Sequence, residues 1–349
     1  MSDSTVTVET PGPPPVGPDD SAPSESSLRR IFRGSVGRNL GLVLALIILI
    51  LVGIVTGGER FASIENTLTI LRLGSVIGVV SIGMTFVIIG GGIDLSVGAN
   101  VALASVWATT VATQTLGKDV HWIVMVGCAL IVATCVGLIN GLMIAYGKIA
   151  PFIATLAMLA AARGLAEIIA DRKTQIITVQ GFLDTFSGDV LGVPVLVIIF
   201  AVVAVIGWIL LNRTTFGRRT FAVGGNAEAA RLSGIRVQRH TLWLYALLGS
   251  TCGIAAVMIM ARTTTGSSTH GMLYELDAIA AVVIGGTLLT GGRGTIVGTV
   301  IGVLIFTMLN NIFTLNNLSI SAQAIAKGVI IVVAVLLQQR IADRSRAVT

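Results

Sequence analysis

The sequence predicts an all-α integral membrane protein of about ten transmembrane helices interrupted by Gly-rich breaks. Three observations carry this. Of 349 residues, 54% are hydrophobic and 11% charged, whereas a soluble domain carries roughly 25% charged residues. The mean hydropathy is +0.92. The apolar residues fall into long runs separated by short polar or glycine-rich stretches, and crossing a bilayer as a helix takes ~20 apolar residues.

Taken in order, Met1 to about Ser27 is rich in Pro, Ser, Thr and Asp and is expected to be disordered. It is no signal peptide, because no apolar core follows a basic start. The expected organisation is a disordered cytoplasmic tail over residues 1–30, a membrane domain over 31–340 with a cytoplasmic loop at 212–240, and a cytoplasmic tail over 341–349. The expected spans are Leu40–Val55, Leu73–Ile89, Leu95–Ala112, Trp122–Tyr146, Pro151–Ala170, Val193–Leu211, Leu242–Ala261, Ala278–Leu289, Ile296–Leu309 and Ala322–Leu337. Pro151 suits the first turn of its helix, where a missing N–H costs nothing. The eighth and ninth runs, separated by Thr290–Thr295, form either two short spans or a re-entrant pair.

Orientation follows from positive charge. With the N-terminus inside, Arg29, Arg30, Arg33, Arg38, Lys148, Arg293, Arg340, Arg344, Arg346 and the arginines of residues 213–239 are cytoplasmic. Both termini are then cytoplasmic, and the chain is a multi-pass protein of the cytoplasmic membrane. The pI near 9.7 therefore reflects topology and not nucleic-acid binding. Asp171–Gly192 is the longest external segment. Cys128, Cys135 and Cys252 lie in apolar runs and are expected in helix interiors, with no metal spacing.

The stretch Arg213–Arg239 is the most basic in the chain. It contains a short helix, Ala227–Ser233. Asn226 can cap it by accepting a backbone N–H, Glu228 suits the positive end of the dipole, and Gly234 is placed as a left-handed stop. So short a helix cannot be stable alone. It is expected to dock on another protein at the cytoplasmic face.

Two breaks resemble each other. Ile88–Gly98 reads IIGGGIDLSVG and Val283–Gly298 reads VIGGTLLTGGRGTIVG; broken helices at matching places are common in transporters. Within the first, Asp94 is a carboxylate beside apolar sequence. It either caps the following helix, lines a solute path or faces an intracellular partner. Ser96, Asn100, Asn140, Thr155, Asn310 and Asn311 join it as candidate pathway or gating residues, because a polyhydroxylated solute needs such hydrogen-bonding groups. Interhelical hydrogen bonds account for them equally well. Gly74, Gly78 and Gly83, Gly127 and Gly137, and Gly298 and Gly302 are read as close helix contacts. His121, His240 and His270 are scattered in loops without metal-ligand spacing, no catalytic set is visible, and no phosphate-binding loop occurs. Catalytic, cofactor and metal assignments are therefore all none, and an ATPase, if one drives this protein, is a separate chain.

Gly90–Gly98, Pro151–Gly164 (PFIATLAMLAAARG), Arg213–Ile235 and Ala278–Gly294 together resemble the membrane permease subunits of ribose-type sugar ABC importers. The resemblance runs from about Arg38 to Gln338. It implies the ABC importer permease architecture, a separate ABC ATPase, an extracytoplasmic sugar-binding protein, a second permease copy and a membrane lipid environment. It also implies a coupling helix, to which Asn226, Ala227, Glu228, Ala229, Ala230, Arg231 and Gly234 are assigned. Glu228-Ala229-Ala230 with Gly234 is similar to the start of the permease signature E-A-A-x-x-x-G, whose downstream Leu-Pro is missing here. The implied cargo is a ribose-like pentose, a hexose or a related polyol. The alternatives are an ion-coupled carrier, for which Asp94, Arg163, Glu167 and Lys327 are the ionisable candidates, and an ABC permease for nucleoside or autoinducer-like solutes.

Overall fold

The computed structural model describes residues 35–319, 321–330, 332–333 and 336. The expected tails over 1–30 and 341–349, with Arg29, Arg30, Arg344 and Arg346, lie outside the described residues, as do Arg33 and Arg340. Seven helices among the described residues are long and apolar enough to cross a membrane: α1 (Leu40–Ala62), α2 (Ile64–Ile89), α5 (Ile123–Ala145), α6 (Pro151–Ala170), α8 (Val195–Arg213), α11 (Val237–Thr263) and α13 (Ile296–Leu315). The shorter helices are α3 (Val97–Ala108), α4 (Val111–Asp119), α7 (Gln180–Phe186), α9 (Thr215–Gly225), α10 (Ala227–Leu232) and α12 (Tyr274–Ile284).

Of the ten expected spans, seven are full-length helices among the described residues. The third and eighth runs form helices of 12 and 11 residues, α3 and α12. At 1.5 Å per residue these are about 18 and 16 Å long, short of the ~30 Å hydrocarbon thickness. The reason is local. Gly90–Ser96 takes up the chain before α3, and Thr109 ends it while Thr110 caps α4 by accepting from the Thr113 amide. The ninth run forms the full-length α13, so the two runs are not a pair of equally short helices. Of the tenth run, residues 321–330 are helical.

Local signals place the ends of the other helices. Ser63 caps α2 through the Asn66 amide at 3.1 Å, Thr295 caps α13 through the Gly298 amide at 3.0 Å, and Pro151 opens α6. Gly58 bends α1. The segment between α6 and α8 is built of β1 (Gln175–Ile176), α7 and the hairpin of β2 (Asp189–Val190) with β3 (Val193–Pro194). β1 pairs antiparallel with β4 (Thr265–Gly266), Gln175 opposite Gly266.

α2 and α11 form the buried centre. α11 packs along α5 and α2, and α3 along α6, α11 and α5. The outer faces are apolar: Val55, Ile131 and Ile168 are all exposed, as a lipid-facing surface requires. Lipid is as apolar as leucine, so helices associate through close packing of small residues. Gly137 meets Gly249 in this way, a Cβ on Gly137 falling 2.9 Å from the Gly249 Cα, and Gly302 lies against the Ala281 carbonyl. Gly127 faces open space and makes no such contact. Cys252 is buried, but Cys135 is exposed on the surface rather than in a helix interior.

Candidate functional site

Three features meet where the helices break. The first is the segment between α2 and α3. Asp94, only 3% exposed, accepts hydrogen bonds on Oδ1 from the Ser96 amide at 2.7 Å and the Ser96 hydroxyl at 2.6 Å. On Oδ2 it accepts from Asn140 Nδ2 at 3.1 Å. The same Asn140 nitrogen donates to Ser96 Oγ at 2.9 Å. Tyr245 donates its hydroxyl to the Ile93 carbonyl at 3.0 Å. Two of these donors are side chains and the third is the amide of Ser96, which precedes α3, so Asp94 braces the break rather than capping the open N–H groups of α3. The group ties the break to α5, and Tyr245 ties it to α11.

Of the candidate pathway residues, Asp94, Ser96 and Asn140 are thus brought into one network. The others are spread. Asn100 Nδ2 donates to the Ala133 carbonyl at 3.1 Å, Thr155 bonds back to the Pro151 carbonyl at 2.8 Å, and Asn311 exchanges two hydrogen bonds with Asn66. The oxygens Asn100 Oδ1, Asn140 Oδ1 and Asn310 Oδ1 are buried and accept no hydrogen bond among the described residues.

The second feature is a junction of three glycine-rich stretches. The Gly292 amide donates to the Ile89 carbonyl at 2.8 Å, joining the two breaks that resemble each other in sequence. Gly91 and Gly291 have φ of +82° and +84°, and a Cβ on Gly291 would fall 3.0 Å from the Gly91 Cα and 2.8 Å from the Gly224 carbonyl oxygen. A Cβ on Gly224, at the end of α9, would collide with the Ile89 carbonyl oxygen and meet the Gly292 nitrogen at 2.7 Å. Three backbones approach this closely only where side chains are absent. Thr85 and Thr299, facing each other from α2 and α13, share a further hydrogen bond of 2.7 Å.

The third feature is the basic segment. Asn226 accepts from the Ala229 amide at 3.0 Å, Glu228 lies in the first turn and Gly234 adopts φ +83°, as the residue types predict. Glu228 pairs with Arg231, whose Nε lies 3.0 Å from the carboxylate; this hydrogen bond holds the Glu228 carboxyl below its usual range. Ala230 is buried, while Ala227, Glu228, Ala229, Arg231 and Leu232 are exposed. The helix ends at Leu232, one residue before the expected Ser233. A second helix, α9, precedes it in the segment and was not foreseen; it leads directly to Gly224.

The ionisable candidates of the ion-coupled alternative all have structural partners. Arg163 donates to the carbonyls of Ser268 and His270, Glu167 faces Arg172 at 3.6 Å, and Lys327 pairs with Asp277 at 3.2 Å with its ammonium 5.3 Å from the Phe306 ring centre. Asp277 was missed in sequence because it stands at the edge of its apolar run. His240 is not in a loop: it is buried in α11, its Nε2 3.0 Å from Thr220 Oγ1. His270, also buried, lies between Ser105 and Thr263.

The profile of a family described as the permease component of branched-chain amino acid transport systems matches residues 66–337. The chain belongs to this permease family. Among its relatives, the ribose import permease RbsC of Bacillus subtilis is 43% identical over 90% of this chain and 97% of its own length. RbsC of Escherichia coli K12 is 40% identical over 84% of this chain and 92% of its own. The galactose/methyl galactoside import permease MglC of the same strain is 35% identical over 85% and 93%. These relatives make the chain a ribose-type ABC permease, in agreement with the resemblance read from its motifs. No solved structure matches it. The permease is thus a multi-pass transport subunit of the plasma membrane, of a family that works with an ATPase and a substrate-binding protein.

Proposed function

We propose that the permease is the transmembrane subunit of an ABC importer that carries a monosaccharide, a ribose-like pentose or a related hexose or polyol, into the cytoplasm. The cargo reading rests on relatives named for ribose and galactose import that align along nearly their whole length. Both termini lie in the cytoplasm, a second permease copy completes the pathway, and an extracytoplasmic sugar-binding protein supplies the solute. ATP is bound and hydrolysed by a separate subunit.

The observation that carries the mechanism is the placement of Gly224 against both broken helices. The ATPase docks on α10, whose exposed face offers Glu228, Arg231 and Leu232. Its motion reaches α9, and α9 presses on Ile89 and Gly292 together. The two breaks are the flexible parts of the pathway, and moving them opens it alternately to the two sides. Asp94, Ser96 and Asn140 hold the first break in shape. The free acceptor oxygens of Asn100, Asn140 and Asn310 suit the hydroxyls of a passing sugar. This division leaves most selectivity to the binding protein.

Extraction of the tagged permease in mild detergent, followed by mass spectrometry, tests the reading. A stoichiometric ATPase that is lost with E228R, together with labelled ribose uptake that is lost in the same variant, is the expected result. A permease that elutes alone and transports in reconstituted vesicles without ATP overturns it.

A further inference from the structure

A cavity of about 860 Å³ opens between α8, α9 and the first half of α11. One end is basic: Arg219, Arg236 and Arg239 line it, and none of the three makes an ion pair among the described residues. No carboxylate lines the cavity anywhere. The other end is apolar, walled by Leu210 and Leu247 and reaching Ser250, with Trp243, 50% exposed, between the two ends. From Arg236 to Ser250 α11 rises about 20 Å. The cavity therefore runs from the membrane surface, where the arginines stand, into the hydrocarbon depth.

This distribution has a specific complement. A soluble anion satisfies the arginines and leaves the apolar end empty; a neutral lipid does the reverse. We propose that the cavity binds one anionic phospholipid, its phosphate between Arg219, Arg236 and Arg239 and the start of an acyl chain along Leu210 and Leu247. Basic pockets at the ends of membrane helices hold such headgroups, and tryptophan at this depth is the common interfacial anchor. The site lies where the basic segment joins α11, so its occupant contacts the segment that precedes α10 as well as the one that follows it. The assignment stands on the cavity's charge and depth and does not depend on the identity of the cargo.

Trp243 is the reporter. In W107F/W122F/W208F it remains as the single tryptophan, and its fluorescence is measured in vesicles while brominated phosphatidylglycerol or brominated phosphatidylcholine is titrated in. Phosphatidylglycerol should quench at lower mole fraction. Its advantage should fall about five-fold for each arginine removed in R219Q/R236Q/R239Q, and remain in R218Q, which removes a charge outside the cavity. Unchanged quenching by phosphatidylcholine in the triple variant checks that the helices are still in place. The single variants R236Q and R239Q give the same comparison should the triple variant misfold. Equal quenching by both lipids overturns the proposal. So does relief of quenching by excess inorganic phosphate, which would mark a soluble anion as the ligand. Loss of a co-purifying protein from the triple variant with lipid quenching intact assigns the arginines to that protein instead.

Discussion

The amide of Gly292 donates to the carbonyl oxygen of Ile89 across 2.8 Å, so two helix breaks far apart in the chain share one hydrogen bond. Gly224 closes on the same carbonyl from the end of α9. The segment that carries α10 therefore touches both breaks at one point.

Adding one methyl group should separate Gly224 from its neighbour. A Cβ on Gly224 collides with the Ile89 carbonyl, whereas a Cβ on Gly225 meets nothing within 4 Å. Overpacking of this kind costs typically about 1–3 kcal/mol. G224A is expected to lower the melting temperature and abolish uptake, and G225A to retain both. A thermal shift assay with uptake normalised to membrane abundance decides; equal behaviour of the two variants would exclude the junction as the coupling point.

Reversing the charge of Glu228 tests docking against local stability. Glu228 and Arg231 pair on the surface within one helix. E228R should leave the melting temperature unchanged and abolish uptake. The swap E228R/R231E restores the pair within the helix but reverses the exposed face that the proposed docking uses. It is expected to remain inactive, and recovery of uptake by the swap would assign the pair a purely local role.

The cap of α10 can be removed without touching that face. N226A loses the bond to the Ala229 amide, worth about 1 kcal/mol. Hydrogen exchange over residues 227–232 should accelerate while the membrane helices keep their protection. N226D, which retains the acceptor, should exchange like the parent.

The Asp277–Lys327 pair is expected to be the costliest single ion pair to break. Its side chains are 10% and 23% exposed, and removing one partner of a buried pair costs about 3–5 kcal/mol. D277N and K327M should each lower the melting temperature, and D277N/K327M should recover much of the loss. Additive losses in the double variant would mean that the two groups do not interact.

For Asp94, an amide swap separates shape from passage. D94N turns an amide nitrogen toward Asn140 Nδ2, donor against donor, and should destabilise by about 1–3 kcal/mol. D94N/N140D restores a donor and an acceptor across the same gap, and with them stability and uptake. Stability that returns without uptake would give the Asp94 charge a direct part in solute passage.

The features legible in the sequence are those set by adjacent residues. Asn226 and Gly234 frame α10, and Pro151 opens α6, because caps and stops act within one turn. The apolar runs placed the seven long helices for the same reason. α3 and α12 are shorter than the apolar runs that mark them, because a hydropathy window sees apolar residues on both sides of a glycine break and cannot tell how far the helix continues. α9 was missed because Gly217 and two adjacent arginines, Arg218 and Arg219, obscure its periodicity. The contacts of Gly224, the partner of Lys327 and the anchoring of Ile93 by Tyr245 were invisible because each joins positions distant in the chain. The basic cavity is distributed in the same way, over α9 and α11.

Helix α1 is the most apolar of the long helices and few of its residues are buried by the rest of the described protein, whereas most residues of α2, less apolar, are buried. A helix that is satisfied by lipid alone needs no neighbour to be inserted. During synthesis α1 can therefore settle in the bilayer as it leaves the translocation machinery, before any later helix exists. α2 has no such independence, because its resting place is made by α8, α11, α12 and α13, all translated later. The order of assembly is thus written in which helices can tolerate lipid on all sides: an early, self-sufficient anchor holds the growing chain while the central helix waits for the partners that enclose it.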